Sequence, residues 1–121
     1  MTELPPILNN VEALKDVLDQ LPQGIMIFQD YSMIYTNPAE ARMLGYDVSE
    51  LIGLSFEDTF KMIHPDDLEK LRNAAFNMQE RNEATRHDRV RLVRKDGTII
   101  PIDNYGRTIS IQDEKVIAVI T

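Results

Sequence analysis

Very few side chains in this sequence could do chemistry. The densest group is His64-Pro65-Asp66-Asp67 in "MIHPDDL", where an imidazole and two carboxylates stand close enough in the chain to suggest a metal site. The same run has a simpler explanation. Proline suits the first position of a helix, and acids in the first turn answer the positive end of the helix dipole. His64 is then a helix-start residue bonding near the cap, and no metal is expected. His87 lies among Arg86, Asp88 and Arg89 and is expected at the surface, where a pH-sensing role is open to it. An enzyme would need a nucleophile with a base, a pair of poised carboxylates or a metal. Ser32, Ser49, Ser55 and Ser110 fall in turns, caps or strands, with no histidine placed to pair with them. The five glycines are scattered, so no glycine loop cradles a phosphate. With no cysteine, disulfides, thiolate metal sites, a cysteine nucleophile and cysteinyl cofactor adducts are excluded. A domain that is not an enzyme is expected.

A net charge of −7 argues against a general nucleic-acid binder. Arg86, Arg89, Arg91, Arg94 and Lys95 depart from it. They read as the solvated face of a strand or, more sharply, as a docking patch for an acidic partner. No aromatic lies among them, as base recognition would require. The longest apolar run, "VIAVI" at 116–120, is too short to span a bilayer. The start "MTELPPILNN" has neither the basic opening nor the apolar run of a signal peptide, and there is no N-x-Ser/Thr sequon. A soluble, cytoplasmic domain without membrane insertion is expected, and 121 residues suffice for one core.

The elements that must position these residues can be read from periodicity and punctuation. Residues 1–9, with Pro5 and Pro6, read as a flexible lead-in. Over residues 10–22, Val11, Leu14, Leu18 and Leu21 recur at spacings of 3, 4 and 3. This predicts an amphipathic helix, capped by Asn9 or Asn10 and stopped by Pro22 and Gly24. That apolar stripe either covers the domain's own sheet or forms a dimer seam. "GIMIFQDYSMIYT" predicts a hairpin of strands near 24–29 and 33–36. In "YTNPAEARMLGY" a short helix is specified at both ends: Asn37 as cap, Pro38 at the first position, Glu40 three residues on and Gly45 as a left-handed stop. Ala39, Met43 and Leu44 are expected to pack inward, with Glu40 and Arg42 facing water. Two more short helices follow, "VSELI" capped by Asp47 or Ser49 and "FEDTF" capped by Ser55. A longer helix after Pro65 puts Leu68, Leu71, Ala75 and Met78 on one face. Three strands complete the chain, near 84–94, 98–111 and 115–121, turning at Lys95-Asp96-Gly97 and at "QDEK". Two strands, several helices, then three strands describe an α+β domain.

This order, with its punctuation, resembles a PAS (Per-Arnt-Sim) sensory domain. The resemblance is carried by "GIMIFQDYSMIYTNPAEARMLGYDVSELIG", by "MIHPDDL" and by "VRLVRKDGTIIPIDNYGRTI", and it covers residues 12–121. It implies a five-stranded antiparallel sheet in the order 2-1-5-4-3, with short helices crossing one face. It also implies residues 23–121 as the core, a pocket between sheet and helices, and dimerisation through a helix such as 10–22. PAS domains are usually fused to effectors such as histidine kinases. The chain stops at Thr121, where the family's last strand usually enters a signalling helix, so it resembles an isolated sensor input.

Alternation groups the strand residues by face, and alignment to the family's hairpin implies which group faces the helices. That inward set is Ile25, Ile27 and Gln29; Val90 and Leu92; Ile100, Ile102 and Asn104; and Val116, Ala118 and Ile120. Met43 and Leu44 come from the short helix opposite. Mostly aliphatic with two amides, the set is either a filled core or an apolar pocket with two orienting groups. Family cofactors can be tested on it. A light-oxygen-voltage flavin adduct needs a cysteine, and the family's flavin-facing asparagines fall here at Leu92 and Ile102, which nearly excludes that cofactor. Haem needs an axial ligand, normally a histidine on the long helix, and residues 66–81 hold none, so haem is not expected despite Met78. The expected function is a sensory module for two-component-type signalling, binding a small, largely apolar metabolite and acting as a homodimer on a downstream effector. The alternative is a ligand-free PAS module used for dimerisation or protein docking.

Overall fold

The structure, a computed structural model, describes residues 4–8 and 10–121. Within the stretch read as a lead-in, Pro6–Leu8 form one 3-10 turn, while residues 1–3 and Asn9, one of the two candidate caps, lie outside the described residues. Helix α1 (Val11–Gln20) is capped by Asn10, whose side chain accepts from the Ala13 N–H at 2.8 Å. Strands β1 (Ile25–Gln29) and β2 (Ser32–Thr36) follow. The two residues between them, Asp30 and Tyr31, both have positive φ, the geometry whose twist matches that of paired strands. The same turn recurs at Gln112 and Asp113.

Helices α2 (Pro38–Leu44), α3 (Val48–Leu51) and α4 (Phe56–Phe60) are too short to hold on propensity alone, and each carries its own N-terminal signal. Asn37 caps α2, and Gly45 ends it at φ +82°. Asp47 rather than Ser49 caps α3, and Ser55 with Asp58 forms a capping box on α4. Helix α5 (Pro65–Arg81) buries Leu71, Ala75 and Met78, with Leu68 half-buried beside them, as the spacing predicts. Strands β3 (Thr85–Val93), β4 (Ile99–Ile111) and β5 (Glu114–Ile120) complete an antiparallel sheet in the order β2-β1-β5-β4-β3.

The core lies between this sheet and the helices. Phe28 and Phe56 meet with ring centroids 4.5 Å apart, and Leu51, Val90 and Ile117 have no exposed surface. At Gly106 a Cβ would stand 2.6 Å from Met78 Sδ, so glycine is what lets α5 approach β4 this closely. Three of the five members of the basic cluster of 86–95 pair with acids. Arg91 pairs with Asp67 at 3.0 Å, Lys95 with Glu50 at 2.8 Å and Arg86 with Asp88 at 3.3 Å. No helix among the described residues is long and apolar enough to cross a membrane.

Candidate ligand cavity

The register across the strands decides which side chains face the helices. Met26 on β1 pairs with Val119 on β5, which pairs with Gly106 on β4, and Gly106 lies against Met78 of α5. This row therefore faces the helices, and so do residues two apart from it on each strand: Phe28, Ile117 and Thr108 on one side, Thr121 and Asn104 on the other. On β3 the parity changes within the strand. Asp88 and Arg89 form a bulge, Arg89 at φ +57° donating its N–H to Asp103 Oδ1 at 2.9 Å. Thr85 before the bulge and Val90 and Leu92 after it thus share the inner face.

Between this face and the helices is a cavity of about 80 Å³. Its floor includes Met26, Phe28, Val90, Leu92, Ile102 and Val119. Its roof is made by Leu44 of α2, Phe56 and Phe60 of α4, and Leu71, Ala75 and Met78 of α5. The polar members are Glu40, Thr59, Thr85, Asn104 and Thr121.

Of the residues expected inward, Leu44, Val90, Leu92, Ile102 and Asn104 line this cavity. Met43 and Ile100 pack against the core beside it without lining it. The other six do not come to it. Ile25, Ile27 and Gln29 on β1 and Ala118 and Ile120 on β5 lie on the opposite face, with Ile25 paired to Ile120 and Ile27 to Ala118. Ile120 is 44% exposed, and Gln29 bonds to Glu114 on that outer face at 3.1 Å. Val116 belongs to the same outer set. The cause is that "IMIFQ" and "KVIAVI" are apolar at both parities, so alternation cannot tell their faces apart. On β4 the outward residues Pro101 and Asp103 break the pattern and reveal it.

Glu40 corrects the sequence reading further. Expected in water, it is 1% exposed and lines the cavity. Its carboxylate accepts a hydrogen bond from the Thr121 hydroxyl, and burial raises its pKa above the usual value. A Cβ at Gly24 would collide with both groups. The bare glycine backbone makes the space they occupy.

Asn37 does more than cap. Its Oδ1 accepts from the N–H groups of Ile25 at 2.9 Å and Glu40 at 3.1 Å. Its Nδ2 donates to the carbonyls of Leu18 at 3.1 Å and Gln23 at 2.9 Å. One fully buried amide thus joins the end of α1, the entry to β1 and the start of α2. Asp67, expected only to answer the dipole of α5, accepts from the Arg91 guanidinium through both oxygens at 3.0 Å and from the Arg91 N–H at 2.9 Å. The guanidinium, then that N–H, hold its carboxyl well below the usual range. His64 caps α5, its Nδ1 accepting from the Asp66 N–H at 3.1 Å. No local pattern signals Glu40 or Asp67, whose partners lie far off in the chain. The groups of the family's best-known cofactors do not fit this cavity. No cysteine exists in the chain, among the described residues no histidine lines the wall, and the two positions that would face a flavin are the aliphatic Leu92 and Ile102.

A five-stranded antiparallel sheet covered on one face by short helices defines an α+β domain. The profile of the family described as PAS fold matches residues 33–121, and the chain belongs to that family. Similar solved structures include the PAS domain of an HTR-like protein from Haloarcula marismortui, 20% identical, with 90% of this chain and 87% of that chain covered and a TM-score of 0.67. A PAS domain from a two-component sensor histidine kinase is 18% identical over 90% of this chain and 91% of that one, with a TM-score of 0.62. The PAS domain of a LuxR-family transcriptional regulator from Burkholderia thailandensis, solved in complex with ethanol, is 19% identical over 88% and 94%, with a TM-score of 0.63. At such identities the likeness shows the fold alone. A comparison with curated protein sequences finds no match. PAS domains are sensory modules of signalling proteins and are in general regulatory rather than catalytic.

Proposed function

We propose that this chain is a cytoplasmic sensory input module that binds a small, largely apolar molecule in its cavity and passes its state through a dimer to an effector domain, such as a histidine kinase. The observation that carries this reading is the cavity itself, walled by apolar side chains from the sheet and from α2, α4 and α5. The Burkholderia PAS domain was solved in complex with ethanol, a small and partly apolar molecule.

The dimer is assigned to α1. Val11 and Leu14 are exposed, and Ile7 and Val17 extend the same open apolar surface, while Leu18 and Leu21 are half-buried. Residues 10–22 are then the coupling helix and 23–121 the sensor core. A sensor role needs no catalytic group, and none is assigned.

The test is native mass spectrometry of freshly purified protein, followed by a thermal-shift screen of metabolites against wild type and Ile102→Trp. A retained or stabilising molecule that is lost in Ile102→Trp, with the variant still folded, supports the reading. Overpacking a filled core costs about 1–3 kcal/mol or more. A strongly destabilised variant together with no ligand in either assay would overturn it and leave the ligand-free docking module in its place.

A further inference from the structure

Three of the polar groups that line the cavity, Glu40, Asn104 and Thr121, come together where β4 and the ends of β1 and β5 meet α2. Gly24 and Thr121 exchange backbone hydrogen bonds at 3.2 and 2.9 Å. The register that pairs Tyr105 with Ile120 places Asn104 beside Thr121 on the next strand. Glu40 of α2 sits over Gly24 and accepts from the Thr121 hydroxyl. Glu40, Thr121 and Asn104 all line the cavity. Among the described residues the Asn104 amide makes no side-chain hydrogen bond. Its partner on β3, His87, holds a buried Nε2 with no partner either. The half-buried Asn104 amide lines the cavity and can donate to and accept from a molecule placed there.

The charge of that ligand follows from the walls. Among the described residues no Lys, Arg or His lines the cavity, so an anion would be stripped of water with nothing to balance it. Among the described residues Glu40 has no ion-pair partner. A cation would lose its water against the same apolar walls, with only Glu40, whose ionisation burial opposes, to answer it. Size follows from volume. An apolar cavity of about 150 Å³ takes benzene, so about 80 Å³ holds about half as many heavy atoms.

We propose that Glu40, Thr121 and Asn104 recognise the head of a small neutral molecule that both donates and accepts hydrogen bonds, an alcohol or a carboxamide of about three to five heavy atoms. Its apolar remainder lies against Phe28, Phe56 and Met78. This deepens the proposed function and rests on the cavity being a ligand site.

The test titrates the full chain by amide NMR with five probes: xenon, 1-propanol, propionamide, and the charged isosteres propionate and propylammonium. Xenon reports the apolar cavity alone. Propionamide and 1-propanol are expected to shift the amides of Glu40, Asn104 and Thr121 saturably, and to bind at least about tenfold tighter than either ion, as a site that pairs the neutral head requires. Asn104→Leu should weaken propionamide about tenfold and leave xenon bound. Glu40→Gln, neutral and nearly isosteric, should keep propionamide within about threefold of wild type. Equal binding of an ion, or indifference to Asn104→Leu, overturns the neutral-head assignment while xenon binding keeps the cavity reading intact. If neither xenon nor propionamide binds, both readings fall.

Discussion

Asn37→Asp separates two roles that coincide in the wild type. If Asn37 only caps α2, aspartate should serve equally, because Asn and Asp rank together at the N-cap. The structure requires more. The two acceptor contacts of Oδ1, to the N–H groups of Ile25 and Glu40, survive in aspartate, while the two Nδ2 donations to Leu18 and Gln23 cannot. Each lost bond is worth about 0.5–1.5 kcal/mol net. The new oxygen also faces two carbonyls in a fully buried site, where an ionised carboxylate is disfavoured. Together the loss should be about 2–4 kcal/mol. In a domain of this size that lowers Tm by roughly 6 °C or more. Urea unfolding followed by circular dichroism measures it. The introduced carboxyl has its folded pKa raised above its unfolded one, so the variant's deficit should shrink as pH falls toward the unfolded value and grow as pH rises. Asn37→Asp within about 0.5 kcal/mol of wild type, with no such pH dependence, would refute the reasoning and return Asn37 to a simple cap.

Three further outcomes are expected. Gly24→Ala should cost about 1–3 kcal/mol by overpacking, because its methyl claims the space of the Glu40 carboxyl and Thr121 hydroxyl. Adding Glu40→Ala should recover part of that loss in denaturant melts, and additive costs would refute the shared space. Because the Asp67 pKa is depressed in the fold, the stability it contributes is present above its unfolded value and is lost as pH falls through the folded one. Unfolding curves from pH 5 to 2 should therefore be flatter for Asp67→Asn than for wild type, and parallel curves would show that the Arg91 pair does not couple folding to protons. If the proposed α1 seam forms a dimer, Leu14→Glu should sediment as a folded monomer where the wild type sediments as a dimer, since Leu14 is 44% exposed and the change leaves the core intact; an unchanged oligomer would remove α1 as the seam.

Local chemistry was legible wherever a signal and its effect share a few residues. The Asn37-Pro38 start and Gly45 stop of α2, Pro65 at the head of α5 and the Lys-Asp-Gly turn all lie where the residues place them. On β3 and β4 the cavity face was legible too, because polar residues alternate with Val90, Leu92 and Ile102. The face of β1 and β5 was not. Both strands are apolar on both sides, and the parity that sends Met26, Phe28 and Val119 inward is imposed by pairing with β4. Glu40 was misplaced for a related reason. A glutamate three residues after a cap reads as a solvated first-turn acid, and nothing near it in the chain announces the bare backbone of Gly24 or the hydroxyl of Thr121.

The sequence alone thus determined the order and ends of the elements, the family and the absence of thiol chemistry, because capping, turn geometry and residue type act over a few consecutive positions. The tertiary structure alone decided which face of β1 and β5 closes the cavity and that Glu40, Thr121 and Asn104 meet in its wall. It also showed that Asn37 ties three elements together. Those outcomes depend on register and on burial against distant residues, and both exist only once the strands have paired.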